Sequence, residues 1–292
     1  GDADIEGTLG GAWPDSVDSK TYVVINDVDV DDGTRLDIVP GTVVKFHSNT
    51  RMRSNGTLMA VGTTDDRIIF TSWKDDTFGG DTNEDSTTTS GGPDDWQHVS
   101  LNGGSSDNSH LSHVVIRFGG QSGQNLRLND SNAKVDSSYI TFSDRYGIYA
   151  YESSTVFYAL ELHDNERGLY ANNGYDGDLP EIHQSNIYNN SQYGVYNSSQ
   201  NDTLNALYNY WGAATGPYHP DLNPSGEGNE VSDAVLFEPW LDSAEGPLLG
   251  DASLSGAITA FDASLVLRHS VGSLTLTGDS LTAAEVSANG TV

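Results

Sequence analysis

The sequence predicts an all-β body built as a solenoid of short coils, followed by a small helical segment. Three observations carry this. Short runs rich in β-branched and aromatic residues alternate with Gly, Asn, Asp and Ser. Helix-period patterning is nearly absent before about residue 257. A Gly-aliphatic-Tyr anchor recurs as Gly147-Ile148-Tyr149, Gly168-Leu169-Tyr170 and Gly194-Val195-Tyr196, at spacings of 21 and 26 residues. Those spacings suit one coil of a solenoid better than one blade of a propeller.

Taken in order, the strand-forming runs are TYVVINDVDV, TRLDIVPGTVVKF, GTLMAVG, RIIFTS, HVSLNG, HLSHVVIRFGG and KVDSSYITFS. The repeat then becomes visible as YITFSDRYGIYAY, LELHDNERGLYAN and SNIYNNSQYGVYNS. Ahead of each anchor lies a polar corner holding Asp144, Asn165 or Asn190, whose side chains can stack between coils and satisfy turn backbone groups. Stacked coils bury Val, Ile, Leu and Phe in a narrow core and leave strand edges at both ends, so both ends need caps. The first twenty residues and the segment around Trp211 and Trp240 are the expected caps, with Trp211, Tyr218, Phe237 and Trp240 as packing residues and sugar stacking as their alternative role.

These repeated turns resemble the right-handed parallel β-helix of the pectate-lyase-like group. The segment LYNYWGAATGPYHPDLNPSGEGNEVSDAVLFEPWL resembles the closing segment of many secreted β-helix proteins. LDIVPGTVVKF followed by GTLMAVGTTDDRIIFTSWKDD resembles the first coils of the same group in bacterial and archaeal surface proteins. Together these cover roughly residues 20 to 241. The resemblance implies a β-helix over residues 1–245, and it is specific for fold and not for activity, because β-helices host lyases, hydrolases, adhesins and inert fibres.

Composition restricts the partners. Thirteen Lys plus Arg stand against 42 Asp plus Glu, a formal charge of −29, which repels nucleic acid and anionic membranes. Such a balance fits a saline milieu, bound divalent cations, or a surface that must stay soluble when concentrated. There is no cysteine and hence no disulfide. Asn-x-Ser/Thr glycosylation sequons occur at Asn55, Asn129, Asn189, Asn197, Asn201 and Asn289. No apolar run reaches the length of a membrane span, and the start at Gly1 reads as a mature secreted product or a trimmed chain.

Residues 246–292, reached through the linker SAEGPLLG, carry the clearest cation motif. Counting Asp251 as loop position 1 puts Ser253 at 3, Ser255 at 5, Gly256 at 6, Ala257 at 7 and Asp262 at 12. That is the oxygen-ligand spacing of an EF-hand-like calcium loop, with Gly at its sharp turn and a backbone carbonyl at position 7. Phe261, Leu265, Val266 and His269 then fall on one helix face that Gly272 ends. A second partial loop holds Glu285, Ser287, Asn289 and Thr291 around Gly290. The unit resembles the first half of a dockerin, which implies a cohesin-like partner for the tail. It departs from the dockerin pattern at Ser253 and Ser255, which replace Asp or Asn, and at the recognition positions Ala260 and Phe261. The alternative is a polar turn before a surface helix.

Further candidates lie in the body. Asp81, Asn83 and Asp85 alternate as calcium-loop positions 1, 3 and 5, with Asp75 and Asp76 just upstream, and a solvated acidic loop is the alternative. The nearest catalytic constellation is Asp144 and Arg145 on one coil with Asp164 and Arg167 on the next, near His163 and His183; exposed ion pairs explain the same residues. His98, His110 and His113 form no metal spacing. Tyr146, Tyr149, Tyr151, Tyr158, Tyr170, Tyr193 and Tyr196 fall in successive coils, either as a sugar-stacking row or as stacks that stabilise the solenoid.

The resulting expectation is a secreted, non-catalytic structural or adhesion protein at the cell surface or in the matrix, such as a fibre subunit. Calcium would set its docking tail, and the tail's partner would be a cohesin-like domain or a second copy of the chain. The runner-up is a polysaccharide lyase or carbohydrate-binding β-helix carried by its dockerin.

Overall fold

The computed structural model describes residues 3–13, 21–174, 177–199 and 201–244, together with residues 263, 264, 266 and 267. The chain winds as an all-β parallel solenoid of about 8 turns with almost no helix. Strands this short can pair in parallel with their own chain only after a full circuit, so each coil supplies one strand to each of three faces.

The first face stacks the first half of Thr21–Val30, then Val43–Phe46, Ile68–Ser72, Val114–Arg117, Tyr139–Thr141, Glu161–His163 and Asn186–Tyr188. The second stacks the other half of Thr21–Val30, then Met52–Ser54, Val99–Asn102, Gln124–Asn129, Tyr146–Tyr151, Arg167–Asn172 and Tyr193–Asn197. Because Thr21–Val30 bends between them, these faces count as one 14-stranded sheet. The third face is a 9-stranded sheet running from Gly11–Trp13 to Val235–Leu236. Ala3–Thr8 pairs in parallel with Thr21–Val30, so the expected N-terminal cap region supplies strands to the stack.

Alternation along each strand sends every second side chain inward, and parallel register lines those residues up. Val44, Phe70, Ile116, Ile140, Leu162 and Ile187 form one such row, fully buried, on the first face. Met52, Val99, Leu126, Ile148, Leu169 and Val195 form the second-face row. The recurring Gly-aliphatic-Tyr anchor is this row seen in sequence: the aliphatic residue points into the core and the tyrosine points out.

The glycine of the anchor is required by close approach. A Cβ on Gly168 would sit 2.5 Å from the carbonyl oxygen of Gly194, and one on Gly147 2.8 Å from Asn165 Nδ2. Corners turn through single residues in the left-handed region, mostly without glycine. Phe118, Phe142, Asp164 and Asn189 have φ of 64, 55, 56 and 54° between the first and second faces, and His113, Ser137, Ala159, Gln184 and Tyr208 do the same between the third and first.

Beside the first of these corners runs a buried amide ladder. Asn165 Oδ1 accepts from Ser143 N, Asn190 Oδ1 accepts from Asn165 N, and Asn229 Oδ1 accepts from Asn190 N. Asn165 and Asn190 stack between coils as expected. Asp144 does not: it is exposed, and Ser143 takes the ladder position, because the pairing of Thr141 with His163 sets residue 143, not 144, opposite Asn165.

At the far end Trp211 and Phe237 are buried and Trp240 packs on the core, whereas Tyr218 is 38% exposed and is not a packing residue. The expected C-terminal module lies outside the described residues except for 263, 264, 266 and 267, which are helical.

Candidate functional site

Residues 73–98 interrupt the coil between Ile68–Ser72 and Val99–Asn102 and fold over the outside of the first face. Phe78 covers the outward Val43, Ile69 and Val115. Trp96 returns into the core, where its ring stacks on Phe46 at 4.1 Å and its Nε1 donates to the Arg117 carbonyl. Lys45, fully buried, donates through Nζ to the Gly80 carbonyl.

Asp75 anchors this excursion. Its carboxylate accepts from Arg117 Nε at 2.9 Å and Nη2 at 2.6 Å, and from Thr71 Oγ1 at 2.5 Å. Burial alone would raise the Asp75 pKa, but these donors and the guanidinium charge hold it below its ordinary value. Arg117 is itself clamped between the rings of Phe78 and Phe118, each 4.6 Å from its Cζ.

The tip of the loop gathers Asp76, Asp81 and Asp85, with one oxygen from each within 4.8 Å of the others. Asp81 accepts from the backbone N–H groups of Asp85 and Ser86, which fixes its direction. Asp85 accepts from Asn83 Nδ2 and Thr89 Oγ1, and the Thr89 bond lowers its pKa. Asp76 Oδ1 and Asn83 Oδ1 are out of contact with solvent and have no hydrogen-bond partner among the described residues. Three carboxylates, one with an unpartnered oxygen, and the unpartnered Asn83 amide oxygen match the all-oxygen donor set of a hard divalent cation. Of the expected set, Asp81, Asn83 and Asp85 come together and Asp76 joins them; Asp75 is committed to Arg117.

The catalytic constellation does not assemble. Tyr146 pairs in register with Arg167, so Arg145 and Arg167 are offset by one residue. Arg145 stacks on Tyr146 and is exposed beside the exposed Asp144. Arg167 donates to Gln192 Oε1 and lies 4.7 to 5.8 Å from the rings of Tyr146, Tyr170, Tyr193 and Tyr196. Asp164 is a corner residue that accepts from His163 Nδ1 at 2.7 Å, and His183 faces Glu181. These are local pairs on separate faces of a turn.

The tyrosine row is now oriented. Tyr149 and Tyr170 stack at 5.4 Å with planes 8° apart, and Tyr170 and Tyr196 at 5.3 Å and 14°. Their faces are turned toward one another, which ties successive coils together. Tyr158 is buried.

Other expected sites divide by accessibility. Asn189 and Asn201 are exposed and Asn55 and Asn129 half-buried. Asn197 is buried and its Nδ2 donates to the carbonyls of Asp202 and Ala234, so this sequon is closed in the folded chain. The loop residues Asp251, Ser253, Ser255, Ala257 and Asp262, the partial loop Glu285, Ser287, Asn289 and Thr291, and the Asn289 sequon lie outside the described residues. His98 is buried, its Nδ1 beside Ser122 Oγ at 2.5 Å and Gln124 Nε2 at 3.2 Å.

Sequence reasoning missed one site. At the last coils of the first face, the closing segment walls off a hollow of about 710 Å³ lined by Glu161, Asn186, Tyr188, Tyr210 and Trp211 among others. Nothing local marks it, since its walls come from separate stretches of chain that include Glu161 and residues 188–192, 210–212 and 227–230. Among the described residues no helix is long and apolar enough to cross a membrane. No protein-family model matches the chain, and no curated protein or solved structure matches it.

Proposed function

We propose that this chain is a secreted, non-catalytic rod of the cell surface or extracellular matrix, a structural or adhesion protein whose copies join end to end. The observation that carries the reading is the polarity of the stack. Every strand pairing among the named strands is parallel, and among the described residues each end finishes in a strand paired on one side only: Ala3–Thr8 at one end and Val235–Leu236 at the other. A second copy placed by translation along the axis meets the first in a heterologous contact that does not close on itself, the geometry of a filament.

Calcium belongs to the same proposal at two places. In the body, Asp76, Asp81 and Asp85 with the side-chain oxygen Oδ1 of Asn83 would hold the ion and relieve three crowded carboxylates. In the tail, Asp251, Ser253, Ser255, Ala257 and Asp262 would set a docking segment for a neighbouring copy or a cohesin-like domain. The test is electron microscopy of the full-length native protein in millimolar calcium and after chelation. Ordered filaments that dissociate on chelation support the proposal; monodisperse particles in both conditions refute it.

A further inference from the structure

The second face departs from the chemistry of the chain as a whole. Its five consecutive strands Val99–Asn102, Gln124–Asn129, Tyr146–Tyr151, Arg167–Asn172 and Tyr193–Asn197 contain no Asp or Glu, in a chain where 42 of 292 residues are acidic. Parallel register sets Arg127 in one outward column with Tyr149, Tyr170 and Tyr196, and Arg167 in the next between Tyr146 and Tyr193. At the base of the face Arg51 and Arg53 are paired with Asp27 and Asp29. Arg127 and Arg145 have no carboxylate partner among the described residues: Arg127 Nη2 reaches Asn129 Oδ1 at 3.4 Å, and the exposed Arg145 donates to the Tyr146 hydroxyl. Arg and Tyr are enriched, and Asp, Glu and Lys depleted, where protein surfaces dock. Rings already stacked on one another lose little freedom on docking.

The complementary surface lies elsewhere on the same chain. Residues 73–98 carry seven acidic residues and one lysine. Within them Glu84 and Asp94 are exposed and have no ion pair among the described residues. This insert covers the first face of its own chain, so its outer carboxylates are offered to a neighbouring molecule. We propose that the second face docks the acidic insert of a second copy laid alongside, with Arg127 and Arg145 meeting Glu84 and Asp94. The contact is heterologous, since each copy brings one face and one insert. Guanidinium groups pair with carboxylates through two parallel N–H bonds, which fixes the alignment of the two rods. Size sets the strength: five strands about 4.8 Å apart, with up to about six residues each at about 3.3 Å per residue, make a face of about 400 Å². A stable interface covers about 800 Å² per partner, so association is expected in the high-micromolar range. The overall charge of −29 permits it, because at about 0.1 M salt repulsion beyond about 10 Å is screened while charges in contact still attract.

This side-by-side contact does not rest on end-to-end joining or on calcium, and the test is run in chelator so that the two are separated. The full-length protein is followed by sedimentation velocity up to about 0.5 mM in about 0.1 M salt, where the sedimentation coefficient is expected to rise with concentration, and in about 1 M salt, where the rise is expected to vanish. Two double variants remove one side each: Arg127→Glu with Arg145→Glu on the face, and Glu84→Lys with Asp94→Lys on the insert. Each alone is expected to associate at least about tenfold more weakly, from two exposed ion pairs replaced by repulsion. Mixed in equal amounts they should associate again, because the first variant keeps its insert and the second keeps its face. That recovery also shows that both variants are folded, and circular dichroism checks it independently. The proposal is overturned if the parent stays monomeric throughout, if its association survives high salt unchanged, if either variant associates like the parent, or if the folded variants fail to associate when mixed.

Discussion

Replacing Asn190 with alanine tests whether the amide ladder holds the coils together. Asn190 is 4% exposed and makes four side-chain bonds. Its Oδ1 accepts from Asn165 N and Asn165 Nδ2, both at 3.1 Å, and its Nδ2 donates to the Leu162 carbonyl and to Asn229 Oδ1, both at 2.9 Å. Some partners have a second bond: Asn165 Nδ2 also reaches the carbonyls of Ile140 and His163, and Asn229 Oδ1 also accepts from Asn190 N. The Asn165 N–H loses its acceptor, while the Leu162 carbonyl stays within a strand paired in parallel on both sides. The orphaned N–H costs about 1–3 kcal/mol, and loss of the other three bonds brings the sum to about 2–4 kcal/mol once the partners relax. For a chain of this size that is a fall in melting temperature of about 3–7 °C by calorimetry. Asp144→Ala, at the exposed position outside the ladder, should stay within about 0.5 kcal/mol of the parent. Equal, small effects from the two substitutions would refute the ladder as a source of stability.

Three further outcomes follow from the same physics. His98 has its pKa lowered to about 4, chiefly by burial and then by the charges of Arg51, Arg127 and Arg53; its contribution is therefore complete above the unfolded value near 6.5 and disappears as pH falls toward 4, and in His98→Gln the melting temperature should decline less steeply across that window. Asp75→Ala leaves the clamped Arg117 guanidinium without its carboxylate at a site 3% exposed, and a loss of about 3–5 kcal/mol is expected in denaturant unfolding; a loss under about 1 kcal/mol would show that residues 73–98 are anchored without it. Calcium should raise the melting temperature of a chain truncated after residue 244, and Asp81→Asn with Asp85→Asn should abolish that rise, whereas an equal rise in the double variant would remove the loop as the cation site.

The sequence by itself determined the class of fold, because the strand repeat is local. Ile148, Leu169 and Val195 must face the core once Gly147, Gly168 and Gly194 mark the start of each strand, and period-2 alternation then places the tyrosines outside. It also brought out Asp81, Asn83 and Asp85, whose spacing within one loop is itself local information. Tertiary structure alone decided what depends on neighbouring coils. Left-handed corners at His113, Phe118 and Tyr208 carry no glycine signal, since the coils above and below impose the conformation. Coil length varies, so register could not be counted along the chain: Arg167 came to lie against Tyr146 instead of Arg145, and Ser143 took the place expected for Asp144. The salt bridge from Asp75 to Arg117 spans 42 residues, and the hollow joins Asn186 to Trp211 across a corner. Such contacts form only when the coils stack, which is why strand pattern was legible in the sequence and the sites between coils were not.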